Sequence, residues 1–175
     1  MAHSQTVASG SIHTAIAQMA SAIAERHSAP GPLLLLGIAN GGIVLARRLA
    51  AAMRPRAVKV GTLDISFHRD DIGRHPIPKE FTPTLLPVDI TGAALVLVDD
   101  VLFTGRTIKA ALDELFDHGR PARVELAVLV DRGDRRLPIA ADYAGLRLVA
   151  DARKKVIVLL DPDDPDRDLI KVTPL

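Results

Sequence analysis

A chain of 175 residues suits one domain, since single domains hold ~100–200 residues. Its 22 Lys and Arg stand against 21 Asp and Glu, a net charge of +1, which excludes broad attraction to nucleic acid and makes any phosphate site a local one. Aromatic residues are 3% with no tryptophan, and cysteine is absent; a base-stacking platform, a disulfide scaffold and a cysteine-ligated zinc site are thereby excluded. A hydrophobic fraction of 48% supports a packed core.

The N-terminal stretch lacks a basic start and a continuous apolar run, so it does not read as a signal peptide. The longest apolar runs, such as Leu33–Leu36, are too short to span a bilayer. A cytoplasmic protein with no membrane partner is expected.

Ile12, Ala15, Ile16, Met19, Ala20 and Ile23 recur at helical spacing, which predicts an amphipathic helix over Ser11–His27. Ser28–Pro32 is a breaker cluster. Leu33–Ile38 is a continuous apolar run, as for a strand buried on both faces. Gly37–Gly42 is a glycine-rich turn, and Ile43–Met53 reads as a helix with Arg47 and Arg48 on its outer side. With Arg54 and Arg56 these form a small basic patch, read as solvated helix surface.

Lys59–His68 alternates, with Leu63, Ile65 and Phe67 facing one way and Asp64 and Ser66 the other. Arg69–Pro87 holds four prolines and no clear period; it reads as a long loop, and such loops are often lids. His68 and His75 flank it as solvated residues. Ala94–Val98 is a buried strand, Asp99–Arg106 a loop, and Thr107–His118 a helix stopped by Gly119 and Pro121. Val124–Val130 is a further buried strand, Asp131–Asp151 is irregular, and Val156–Leu160 is a late strand. The aspartates at 161, 163, 164, 166 and 168 lack the central glycine and terminal glutamate of a calcium loop; Pro162 and Pro165 favour a turn. Strands alternating with helices predict one α/β domain with a mostly parallel sheet.

The richest segment is Ala94–Thr107, ALVLVDDVLFTGRT. A buried strand ends in two carboxylates, and a short Thr/Gly loop then opens a helix. Ligands of open α/β sheets bind at the carboxyl ends of strands. Asp99 and Asp100 only accept hydrogen bonds and so suit two sugar hydroxyls. Backbone amides of Leu102–Thr107, the Thr104 and Thr107 hydroxyls, the turn at Gly105 and the helix N-terminus suit a phosphate. Together they fit a ribose 5-phosphate. Neither a Walker A loop nor G-x-G-x-x-G is present. Alone, Asp-Asp would read as an acidic strand end before a helix cap.

Val98–Thr107 (VDDVLFTGRT) resembles the 5-phosphoribosyl-1-pyrophosphate (PRPP) signature of the type I phosphoribosyltransferases. Asp64–Asp71, Val130–Gly145 and the Lys155–Leu160 strand with its acidic tail resemble one branch of that superfamily, the PyrR family of pyrimidine-operon regulators with uracil phosphoribosyltransferase activity. The likeness runs in order from about Ser11 to the C-terminus. It implies a type I phosphoribosyltransferase fold, a mostly parallel sheet flanked by helices with a lid and a small hood. Asp99 and Asp100 would hold the ribose hydroxyls. The segment Val101, Leu102, Phe103, Thr104, Gly105, Arg106 and Thr107 would bind PRPP, its last four residues holding the 5-phosphate. Ala39, Asn40 and Gly41 would be the pyrophosphate loop, which in this superfamily often carries a non-proline cis peptide. The lid would span about 69–87, with Arg69 its residue for pyrophosphate, ahead of Arg74 and Lys79. The hood over the base would span about 131–151, with Arg132 in it.

The implied reaction is attack of uracil on C1 of PRPP, giving UMP and pyrophosphate, with Mg²⁺ carried mainly by PRPP and no metal held by protein ligands alone. The implied partners are PRPP, uracil and uridine nucleotides, and the implied assembly is a dimer or larger homo-oligomer. Where the branch shows Thr-Arg-Gly, this chain has Asn40-Gly41-Gly42, so a guanidinium able to pair with the leaving group is absent. Regulators of the branch bind a messenger-RNA loop through a basic face on the first helix and the region after Val130. Here Ile12–Ala24 has no Lys or Arg, and Asp134 and Ala140 stand where basic residues are expected. RNA affinity rests largely on phosphate neutralisation, so RNA-dependent attenuation ranks below the transferase. Arg132 and Arg135 read equally as surface pairs of Asp131 and Asp134 or as hood and subunit-contact residues.

Overall fold

The computed structural model describes residues 5–28, 31–69, 82–148 and 153–174. In chain order the elements are β1 (Gln5–Ala8), α1 (Ser9–Arg26), β2 (Leu33–Ile38), α2 (Gly41–Ala52), β3 (Val58–Leu63), β4 (Ala94–Leu102), α3 (Arg106–Asp117), β5 (Arg123–Asp131), β6 (Tyr143–Arg147), β7 (Lys154–Leu159) and β8 (Leu169–Pro174), with a 3-10 turn at Pro165–Arg167.

Five strands form a parallel sheet in the order β3-β2-β4-β5-β6. Its central strands are the unbroken apolar runs, because helices cover both faces. On one face α1 and α2 bring Ile12, Met19, Ile23, Leu45 and Leu49 against Leu35, Val96 and Leu129. On the other, α3 brings Ile108, Ala111 and Leu115 against Leu36, Leu97 and Val128. Among the described residues no helix is long and apolar enough to cross a membrane.

A smaller antiparallel sheet, β1-β8-β7, joins the two ends of the chain. Asp168, whose side chain is fully buried, ties it to the main body. Its carboxylate takes a hydrogen bond from Arg48 of α2 and one from the Asp161 amide at 2.9 Å, and His13 of α1 lies 3.5 Å away. Arg48 also donates to the Asp161 carbonyl. The aspartates around it shape a turn: Asp161 Oδ1 accepts from the amides of Asp163 and Asp164 at 3.0 Å each, which holds the Asp161 carboxyl below its usual range.

Several sequence expectations need correction. Arg48 is not solvated helix surface; burial of Asp168 demands its charge. Alternation ends at Leu63, where β3 stops, and the chain turns. Asp64 is therefore buried while Phe67 is 67% exposed, the reverse of the expected facing. Strand β4 runs on to Leu102 and α3 begins at Arg106, so the loop between them is only Phe103–Gly105. The range 131–151 is not wholly irregular: Tyr143–Arg147 is the edge strand of the main sheet. Strands β1 and β8 were not foreseen.

At the amino end of the sheet, buried Glu125 gathers the Tyr143 hydroxyl at 2.7 Å, His27 at 2.8 Å and Arg26 and Arg123 at 3.1 and 2.7 Å. Burial alone would raise this carboxyl, but Tyr143, His27 and Arg123 outweigh it and hold it low.

Removing one partner of a buried, hydrogen-bonded ion pair leaves the other uncompensated, a loss of ~3–5 kcal/mol. Asp168→Ala is expected to lower unfolding stability by about that amount in urea titration. A change below ~1 kcal/mol would show that Arg48 finds solvent instead.

Candidate active site

In the strand order β3-β2-β4-β5-β6 the chain leaves β2 to one side for β3 and returns on the other for β4. This reversal opens a crevice at the carboxyl ends of β2 and β4, the usual ligand position in open α/β sheets. The Ala39–Gly42 turn and the Asp99–Thr107 segment both end there.

Helix α2 sits unusually close to β4. A Cβ on Gly42 would fall 2.0 Å from the Val98 carbonyl oxygen, and one on Gly37 2.7 Å from the Ile43 Cα. A Cβ on Gly41 would fall 2.4 Å from Asp100 Oδ2. A side chain at this position, where the resembling branch carries arginine, would meet the Asp100 carboxylate as it stands here. The Ala39–Asn40 peptide is cis, as the resemblance implied. The Ala39 amide donates to the Leu63 carbonyl at 3.0 Å, and the Asn40 carboxamide oxygen accepts from the Thr82 hydroxyl at 3.2 Å. The loop is therefore joined to β3 on one side and to the chain entering from residue 82 on the other.

Asp99 is 5% exposed, and its Oδ1 accepts from the Asp100 amide at 3.0 Å. Burial first, and then the neighbouring Asp100 charge, push its carboxyl well above the usual range. Burial raises Asp100 as well. The more accessible Asp100 faces the glycine turn. Nearby Asp64 closes a local turn, its Oδ1 accepting from the Ser66 amide at 2.9 Å and hydroxyl at 2.6 Å. The Asp64 Oδ2 atom is buried without a hydrogen-bond partner among the described residues.

Gly105 caps α3 with φ of +93°, a left-handed conformation that disfavours any side chain. No acidic residue lies in the first turn of α3 and no side chain caps it. Its leading amides have no intrahelical acceptor, and the dipole there favours an anion. The Arg106 amide reaches Thr104 Oγ1 at 3.3 Å. Val101 and Leu102 remain in the sheet, Thr104 is half-buried, and Arg106 and Thr107 are exposed.

The segment after β5 folds over this loop. The amides of Arg136 and Leu137 donate to the Thr104 carbonyl at 3.0 and 3.1 Å. Arg135 donates to the carbonyls of Phe103 (2.9 Å), Gly133 (2.7 Å) and Ile139 (3.0 Å), and to Asp131 Oδ1 at 2.6 Å. It is an internal strut rather than half of a surface pair. Arg132 is 5% exposed, with its guanidinium carbon 3.8 Å from the centre of the Phe103 ring. Its Nε and Nη2 are buried without hydrogen-bond partners among the described residues. A buried cation with two idle donors is costly unless a ligand supplies acceptors.

Arg69 lies exposed at the edge of the described residues, just beyond the turn after β3. The rest of the expected lid up to residue 81, with Arg74, His75 and Lys79, lies outside them. The structure brings together Ala39, Asn40, Gly41, Asp99, Asp100 and the Phe103–Thr107 turn. Sequence reasoning missed Gly42 and Gly37 as packing constraints; the GxxxGG spacing was their signal.

Two outcomes follow. In the Asp99 carboxyl the folded state holds its proton more tightly than the unfolded chain, so stability falls as pH rises from the unfolded value through the raised folded one. Asp99→Asn is therefore expected to raise the melting temperature by ~2–4 °C at neutral pH and to leave it unchanged near pH 3; a lower value at neutral pH would refute the reading. Gly41→Ala displaces a side chain and Gly42→Ala a backbone. Gly41→Ala is expected to weaken ligand binding at Asp100 by ~10-fold, or ~1.4 kcal/mol, with little change in unfolding midpoint, whereas Gly42→Ala lowers the midpoint itself.

Comparison with known proteins agrees with this arrangement. Residues 8–161 match the phosphoribosyl transferase domain. The chain is 46% identical over 164 residues to the bifunctional protein PyrR of Chloroflexus aurantiacus, covering 91% of this chain and 90% of that one. It is 50% identical over 153 residues to the protein of the same name from Streptomyces coelicolor, covering 85% and 79%. The crystal structure of the hypoxanthine phosphoribosyltransferase of Trypanosoma cruzi superposes with a TM-score of 0.68 at 24% identity, over 96% of this chain and 95% of that one, a likeness of fold. With these elements in this order around the strand-end crevice, the chain belongs to the phosphoribosyl transferase domain family, in the group of PyrR proteins.

Proposed function

We propose that this protein is a uracil phosphoribosyltransferase that converts uracil and PRPP to UMP and pyrophosphate in the cytoplasm. The observation that carries the reading is the meeting of the Asp99–Asp100 pair with the open N-terminus of α3 at one strand-order reversal, in a chain of the PyrR group. N1 of uracil forms its bond to C1 of the ribose as the bond to the pyrophosphate oxygen breaks, and the N1 proton passes to solvent. Asp99 and Asp100 accept from the ribose hydroxyls, and Thr104–Thr107 hold the 5-phosphate. The backbone of Ala39–Gly41, with Arg69 from the lid, holds the leaving pyrophosphate. Orientation and stabilisation of the departing charge supply the rate.

The donors at this crevice are oxygens, which suits Mg²⁺. Asp100, the more exposed carboxylate, would face an ion carried mainly by PRPP. Held there, it would supply positive charge to the departing pyrophosphate.

Arg132, in the segment over the crevice and with two idle donors, is our candidate for the uracil oxygens. Exposed Phe67, Leu85 and Phe116 offer apolar surface for the expected homo-oligomer. RNA-dependent regulation stays the second reading. The groove of about 400 Å³ between α1 and β6 is lined by Gly10, Ser11, Thr14, Gln18 and Leu146 among others, none of them cationic, and so offers little for phosphate neutralisation.

Incubation with PRPP, Mg²⁺ and each of uracil, adenine, guanine and hypoxanthine tests the proposal. UMP formed from uracil alone is expected. Product from a purine alone overturns the base assignment, and no product from any base overturns the transferase. Arg132→Met is expected to lower UMP affinity at least ~10-fold while leaving the unliganded melting temperature equal or higher, since a desolvated charge is removed. A large loss of stability with unchanged UMP affinity would make Arg132 structural.

A further inference from the structure

On the α3 face of the sheet four titratable side chains converge. His68 lies in the turn after β3. Glu114 and Asp117 lie in the last turn of α3 and His118 caps it, at i, i+3 and i+4. His68 Nε2 stands 3.2 Å from Glu114 Oε2 and 3.3 Å from Asp117 Oδ2. One ligand atom from each of the three lies within 4.8 Å of the others. Around a tetrahedral ion with bonds of ~2.0–2.1 Å, neighbouring donors are ~3.3 Å apart, the spacing that His68 Nε2 makes with each carboxylate.

The Glu114 carboxylate is held as metal-bound carboxylates are. Its Oε1 accepts from the Thr84 hydroxyl at 2.6 Å and faces His118 Nε2 at 2.9 Å, which turns Oε2 toward His68. Outer hydrogen bonds of this kind fix the orientation of ligating groups. Two carboxylates one turn apart on a helix repel each other, and a shared cation relieves that repulsion. The imidazole excludes a magnesium-type site, since Mg²⁺ takes oxygen donors.

We propose that His68, Glu114 and Asp117 form a three-ligand site for a divalent cation of the zinc class, with water completing a four-coordinate shell and His118 orienting Glu114. The ion would tie the turn after β3 to the end of α3. It takes no part in the crevice chemistry.

Cobalt(II) is the probe, added to the chelator-treated full chain with Mg²⁺ in excess. One equivalent is expected to give the visible d–d absorption of a four-coordinate ion, which Zn²⁺ abolishes. Asp117→Asn alters an exposed carboxylate and His68→Ala a half-exposed ring, so both are expected to fold with unchanged circular dichroism. Each should weaken Co²⁺ binding at least ~10-fold, while Asp100→Ala leaves it intact. Absence of the band at stoichiometric Co²⁺ overturns the site. So does equal affinity in the His68 and Asp117 variants, and so does loss of binding in Asp100→Ala, which would put the ion in the crevice.

Discussion

Helix α2 can reach the carboxyl end of β4 only because residues 37 and 42 carry no side chain. Any Cβ at 42 would enter the Val98 carbonyl, and any at 41 would enter the Asp100 carboxylate. This close approach brings the turn after β2 into the same crevice as the acidic end of β4. The Asp99–Asp100 pair, the Gly105 turn and the overlying 131–139 segment acquire a common focus from it. The glycines cost chain entropy, and the α2 core residues Leu45, Ala46 and Leu49, packed without exposure, offset that cost.

The buried charges of the molecule divide into two kinds. Glu125 and Asp168 are ringed by cationic and donor groups, Arg26, His27, Arg123 and Tyr143 in one case and Arg48, His13 and the Asp161 amide in the other. They fasten the amino end of the sheet and the small second sheet. Asp99 and Arg132 are buried with far less compensation, the first beside a like charge and the second with idle donors. Uncompensated burial is a standing cost. Its concentration at the carboxyl edge is what a site shaped for a charged, hydroxyl-rich ligand requires.

Arg135 shows how the crevice is kept in shape. By donating to four backbone carbonyls and the Asp131 carboxylate, one side chain fixes the chain after β5 over the Phe103–Gly105 turn. Burial would raise Asp131, but the Gly133 amide and Arg135 outweigh it and keep it ionised. The strut persists across the neutral range, and the segment that carries Arg132 is held independently of any ligand.

The parallel sheet was legible in the sequence because strands covered on both faces must be apolar throughout; Leu33–Ile38, Ala94–Val98 and Val124–Val130 could be little else. The acidic pair and the Gly105 turn were legible only as one string: Asp-Asp alone reads as a strand end before a helix cap, but with the Thr/Gly loop and the helix that follow it resembles a known signature. Strands β1 and β8 were not legible. They are short, half-exposed and paired with each other across nearly the whole chain, so their order comes from partners that local pattern does not reveal. Nor could alternation tell that Phe67 turns outward and Asp64 inward, since β3 stops at Leu63 and period two has no meaning beyond it. The sequence by itself determined the layered fold, the position of the crevice and the chemical kind of its residues, because these follow from local burial and turn chemistry. Only the tertiary structure decided that Asp100 fills the space beside Gly41, that Arg132 stacks on Phe103 with donors to spare, and that His68 meets Glu114 and Asp117, because each depends on the distance between elements remote in the chain.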